Sequence, residues 1–151
     1  MVNNRGQSYS AVTMIGALLD RHTSFSWHLE GFTPAIARDA VKQTLHDWGI
    51  PAETVEDAIL ITSEIATNAI KHVRREWRSA AFVYAHLGIF GATLRIGIAD
   101  PDPQPPRLIQ AEFDDEQHRG LTIVDALARE WGSQPVAGNL GKIVWWTQAI
   151  D

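Results

Sequence analysis

The sequence predicts an α+β domain: a two-layer sandwich in which three helices cover one face of a mixed, mostly antiparallel sheet. Three observations carry that expectation. Helical periodicities are grouped between stretches of two-residue alternation, instead of alternating with them singly as a doubly wound sheet requires. Two strand-like runs, around residues 83–89 and 93–98, follow one another directly. A proline-rich segment, DPDPQPP from Asp100 to Pro106, then interrupts all regular structure. No repeat or linker divides the 151 residues, a length suited to one core. The reading is an N-terminal arm over 1–22 and one domain over 23–151.

Each element has its own local cause. Phe25, Trp27 and Leu29 alternate with Ser24, Ser26 and His28, the period of a half-buried strand. Thr33-Pro34 opens a helix, since proline at the first helical position lacks only an N–H that has no partner there. Ile36, Ala37, Ala40, Val41, Leu45 and Trp48 form its apolar stripe, and Gly49 ends it. A longer helix is expected from about Ala52 to about Arg75, with Glu53, Glu56 and Asp57 early and Lys71, Arg74 and Arg75 late, the order that suits the helix dipole. Its stripe is Val55, Ala58, Ile59, Thr62, Ile65, Ala66, Ala69 and Val73. Val83, Ala85, Leu87 and Ile89 mark one strand, and Leu94, Ile96 and Ile98 the next. The proline segment and the acidic residues Glu112, Asp114, Asp115 and Glu116 form a long loop. A third helix is expected from Arg119-Gly120, with Leu121, Val124, Leu127 and Trp131 on its buried side and Gly132 stopping it. A strand near 133–136, a turn at Gly138-Asn139 and a last strand over 142–148 complete the reading.

Composition removes several function classes. There is no cysteine, which excludes disulfide scaffolds, thiolate metal sites and thiol catalysis. A net charge of −5 lacks the electrostatic footprint of a nucleic-acid binder. The apolar run Ala11–Leu19 is too short for a membrane span and is followed by Asp20, Arg21 and His22 with no cleavage pattern, so no membrane role is expected and the location read is cytoplasmic. The histidines lack metal-ligand spacing, and no nucleophile elbow, Walker loop or GxGxxG is present.

Three places could carry chemistry. Glu64 and Asn68 are one turn apart on the second helix, and Lys71 continues their face, nearly opposite the apolar stripe. That face is either a solvated polar surface or a base beside a neutral oxygen ligand for a hard cation such as Mg²⁺. Asp100 ends a strand; it either caps a turn or accepts a hydrogen bond from an exocyclic amine. His118-Arg119-Gly120-Leu121 is either an ordinary helix start or a phosphate-binding one, with Arg119 adding a charge-assisted contact.

In order along the chain, SEIATNAIKH on a helix, a strand ending in Asp100-Pro101-Asp102-Pro103, a variable loop, RGLTIVDALAREWG and GKIVWW resemble the Bergerat-fold (histidine-kinase-like) ATPases. The similarity is greatest to the anti-sigma-factor serine kinases and their stand-alone regulatory relatives, and covers about residues 24–149. The resemblance implies ATP and Mg²⁺ as cofactors, Glu64 as catalytic base, Asn68 as Mg²⁺ ligand and Asp100 as acceptor of the adenine amine. It further implies nucleotide contacts from Lys71, His72, Pro103, His118, Arg119, Gly120 and Leu121, under an ATP lid from about Pro101 to Arg119. The implied activity is transfer of the γ-phosphate to a serine of an anti-sigma-factor antagonist protein, with a sigma factor as second partner and a homodimer as the assembly. Departures from the family pattern are Pro101, Asp102 and Pro103 where glycines follow the aspartate, His118 in place of a glycine, and Ile143 where a threonine often lies. They leave a second class open: a non-catalytic interaction switch with weak or lost ATP binding.

Overall fold

The alternation at the start of the domain does form a strand, and among the described residues it is the edge of a five-stranded sheet. The computed structural model describes residues 21–71, 81–103 and 116–151, without the side chains of 116–120 and 139. Strand β1 spans Arg21–His28, taking in two residues that the sequence reading leaves with the N-terminal arm. Phe25 and Trp27 point inward against the core, while Ser24, Ser26 and His28 are exposed.

Helix α1 spans Pro34–Asp47 and buries Ala37, Val41 and Leu45. Thr33 is at its N-cap, yet its hydroxyl makes no capping bond; the first turn is closed by Ile36 N–H donating to the Thr33 carbonyl at 3.1 Å. Gly49, at φ +72°, ends the helix as expected, its N–H donating to the His46 carbonyl. Helix α2 is described over Ala52–Lys71; its expected extension to Arg75, with Val73, lies outside the described residues. It packs against α1, against α3 (Glu116–Leu127) and on the sheet, so its buried arc is wider than a surface stripe. Ile61, which the periodicity leaves out, is therefore fully buried, whereas Ile59 is only half-buried.

Strands β2 (Phe82–Phe90) and β3 (Thr93–Asp100) form an antiparallel hairpin whose inward residues are those expected. The sheet order is β1-β2-β3-β5-β4, with β4 at Glu130–Pro135 and β5 at Lys142–Ala149. Every pairing among these strands is antiparallel, which corrects the expectation of a mixed sheet. The connection through α3 joins β3 to β4, strands that run the same way, but β5 inserts between them and pairs with both. No parallel pair is formed among the described residues.

The third helix corrects the sequence reading at both ends. The chain is already helical at Glu116, the first described residue of this segment, and so the helix starts before Arg119-Gly120. It ends at Leu127; the Arg129 N–H then donates to the Thr147 carbonyl at 2.8 Å and draws the chain into the sheet. Trp131 and Gly132 belong to β4, which also starts earlier than the expected 133–136. Trp131 pairs in register with Trp146 and packs against the core, so its burial mimicked helical periodicity. Gly132 does not stop a helix. It lies under the Trp145 indole, where a Cβ would stand 3.0 Å from a ring carbon, and Arg95 stacks on that ring at 4.6 Å from its centroid. Gly132→Ala should lower the unfolding free energy by about 1–3 kcal/mol, the usual cost of overpacking, in denaturant titration. An unchanged midpoint would show that the indole moves freely.

Candidate functional site

Helix α2 presents Glu64 and Asn68 on adjacent turns, and both are half-buried; Lys71 on the same face is exposed. The segment that carries them is pinned to α1 by Arg38 Nη1, which donates to Ser63 Oγ at 3.0 Å. The Asn68 Nδ2 atom is enclosed and makes no hydrogen bond; among the described residues Thr62 Oγ1 is the other such atom. A buried amide without a partner costs about 1–3 kcal/mol, and native interiors rarely leave one without a reason. Rotation of the amide exchanges its nitrogen and oxygen, so the same position can offer a carbonyl oxygen to a cation. Among the described residues no group of three or more His, Asp or Glu side chains is gathered to hold a metal. A single neutral oxygen donor of this kind suits a cation that takes most of its ligands from water and phosphate, as Mg²⁺ does.

Asp100 is the last residue of β3 and is 5% exposed. It is not a simple turn cap. Its Oδ1 accepts from the Asp102 N–H at 2.8 Å and from Lys142 Nζ at 3.1 Å, and Lys142 also donates to the Asp102 carbonyl at 3.1 Å. Burial pushes the Asp100 carboxyl above its ordinary range, against the opposing pull of the Lys142 charge and hydrogen bond. Strand register sets this pair, because Asp100 lies directly opposite Lys142 at the start of β5. Gly141 makes the approach feasible: a Cβ there would collide with the Asp100 carbonyl oxygen and stand 3.1 Å from Pro101 Cα.

The remaining predicted residues fall in different places. Pro101, Asp102 and Pro103 are half-buried beside the ion pair. His118, Arg119 and Gly120 lie within α3, with side chains outside the description, and Leu121 on the same helix is fully buried. His72 and most of the expected lid lie outside the described residues. Helix α2 packs against α3, β3 and β5, so the elements that bear Glu64, Asn68, Asp100 and Lys142 are neighbours. Lys142 is the residue that sequence reasoning missed. Only the pairing of β3 with β5 reveals it, 42 positions from Asp100.

Comparison with known proteins bears on the family and the fold. An uncharacterized protein of Streptomyces coelicolor is 48% identical over 40 residues, which is 25% of this chain and 38% of that protein. The solved structure of the RsbU and RsbW domains of Rv1364c from Mycobacterium tuberculosis superposes with a TM-score of 0.57 at 18% identity, covering 85% of this chain and 32% of the other. The chain therefore spans about a third of the length of each of these relatives, and the structural likeness establishes the fold. The family model for the histidine kinase-like ATPase domain matches residues 32–147, from the turn before α1 into β5 and across every residue of the site, and the chain belongs to that family.

Proposed function

We propose that this chain is an ATP-binding regulator of the anti-sigma-factor serine-kinase type. Support comes from the family match and, above all, from the enclosed, unpartnered Nδ2 atom of Asn68 one turn after Glu64. In this reading Asn68 would hold Mg²⁺ together with phosphate oxygens, and Mg²⁺ would supply charge neutralisation at the phosphates. Asp100 accepts from the adenine amine. Glu64 takes the proton from a partner's serine hydroxyl as that oxygen bonds to the γ-phosphorus and ADP leaves. Lys71, His72, Pro103, His118, Arg119, Gly120 and Leu121 complete the nucleotide surroundings under a lid over 101–119. An anti-sigma-factor antagonist as phosphate acceptor, a sigma factor as bound target, a homodimer and a cytoplasmic location are parts of the same proposal. No helix among the described residues is long and apolar enough to cross a membrane. A second reading, a partner-binding switch with weak nucleotide affinity, is favoured by the ion pair that already takes one Asp100 oxygen.

Calorimetric titration with ATP, with and without Mg²⁺, tests the proposal. Wild type should bind more tightly with Mg²⁺. Asn68→Ala should bind equally in both conditions, because a ligand to the cation is gone. Equal Mg²⁺ enhancement in the variant would remove Asn68 from the cation site, and no ATP binding by wild type would leave the switch.

A further inference from the structure

The feature that the family reading does not use is the ammonium of Lys142. It is almost enclosed, with 8% of its side chain exposed against 2% for Asp100. Two of its three hydrogens go to Asp100 Oδ1 and to the Asp102 carbonyl, which leaves a third donor in the same place. The carboxylate is divided correspondingly: both of its hydrogen bonds among the described residues fall on Oδ1, and none falls on Oδ2. The end of β3 and the start of β5 thus present one charged acceptor beside one charged donor, held by strand register and by the close approach at Gly141.

We propose that Lys142 is a specificity-determining residue of the nucleotide site, reading the ring nitrogen next to the amine that Asp100 accepts from. The inference rests on the assignment of Asp100 to the base. A lone carboxylate distinguishes an amine from a carbonyl. A carboxylate with an ammonium at its side asks for a donor and an acceptor adjacent on one edge. Adenine carries that pair, with N6–H for Asp100 and N1 for Lys142. Guanine carries the reverse, O6 as acceptor and N1–H as donor, so with the sugar held in the same place both groups would be mismatched. A site built to hydrogen-bond a ligand group rejects the analogue lacking it more strongly than an apolar pocket rejects a change of size. Lys142 has a second effect on the same contact. Its charge and hydrogen bond oppose the upward pull of burial on Asp100, and so help to keep the acceptor in its charged form.

The test uses the whole chain, equilibrium titration calorimetry and three probes: ATP, 1-deaza-ATP (in which N1 is replaced by C–H) and GTP. Wild type should bind ATP at least about tenfold more tightly than 1-deaza-ATP, the scale of a hydrogen bond to a charged group. It should bind GTP more weakly than either. Lys142→Met should bind ATP and 1-deaza-ATP equally, and Lys142→Arg should restore part of the difference. The pH profile separates this role from a structural one. As pH falls, ATP affinity should begin to drop at a higher pH in Lys142→Met than in wild type, because the undefended Asp100 carboxyl protonates earlier. A Lys142→Met protein that keeps the wild-type ratio of ATP to 1-deaza-ATP overturns the inference while leaving the ATP reading intact. Should Lys142→Met fail to fold, wild type decides alone, since equal affinity for ATP and 1-deaza-ATP also overturns it. Wild type that binds neither ATP nor GTP overturns both readings.

Discussion

Glu64→Ala should abolish phosphate transfer to the partner serine while leaving ATP affinity within a few fold. Glu64 is half-buried on the turn of α2 that precedes Asn68, on a helix held by α1, α3 and the sheet, so truncation removes a carboxylate without disturbing a core contact. A general base typically contributes about 10²–10⁴ in rate, and it acts on the hydroxyl proton, not on the nucleotide. The signature is therefore a loss of turnover with binding preserved. Single-turnover transfer of labelled γ-phosphate to the partner, alongside equilibrium binding, reads both quantities. Transfer at the wild-type rate would dismiss the kinase reading and leave the switch.

Asp100→Ala should have the largest effect on the fold. It strands the Lys142 ammonium in a site with 8% side-chain exposure, and breaking a buried pair by removing one partner costs about 3–5 kcal/mol. The Asp102 N–H loses its acceptor at the same time. In chemical denaturation the midpoint should fall accordingly, and ATP affinity should fall by about 1.5–3 kcal/mol as the amine loses its acceptor. The pH dependence has a definite sign. Because the folded-state carboxyl lies above its unfolded value, the native protein holds more protons between the two values. Stability due to Asp100 is then lost as pH rises through that window, so the difference between wild type and Asp100→Ala should shrink with rising pH there. A difference that grows with pH would show that Lys142, and not burial, dominates the carboxyl. Equal wild-type affinity for ATP and GTP would remove Asp100 from base recognition.

Legibility from sequence followed the range of the interactions. The stripe Ala37, Val41 and Leu45 on α1 and the alternation Leu94, Ile96 and Ile98 on β3 were readable because one neighbour surface decides each pattern. Ile61 was not, since α2 is buried from more than one side and three–four spacing describes only one. Trp131 shows the opposite failure: a strand residue that packs inward landed at a helical interval from Leu127 by coincidence, and only its pairing with Trp146 separates the two.

At the site, local motifs carried Glu64 with Asn68, since helical spacing alone puts them on one face, and Asp100, since proline marks the strand's end. By itself the sequence thus determined the α+β class, the helix with its paired polar residues and the carboxylate at the strand terminus. All are products of periodicity or of residues a few positions apart. The tertiary structure alone decided that the Asn68 Nδ2 atom is enclosed, that Gly132 makes room for Trp145, that every strand pairing among the described residues is antiparallel, and that Lys142 meets Asp100. Each of these depends on which distant segments pair and in what register, a choice made by packing of the whole core, and no local pattern encodes it.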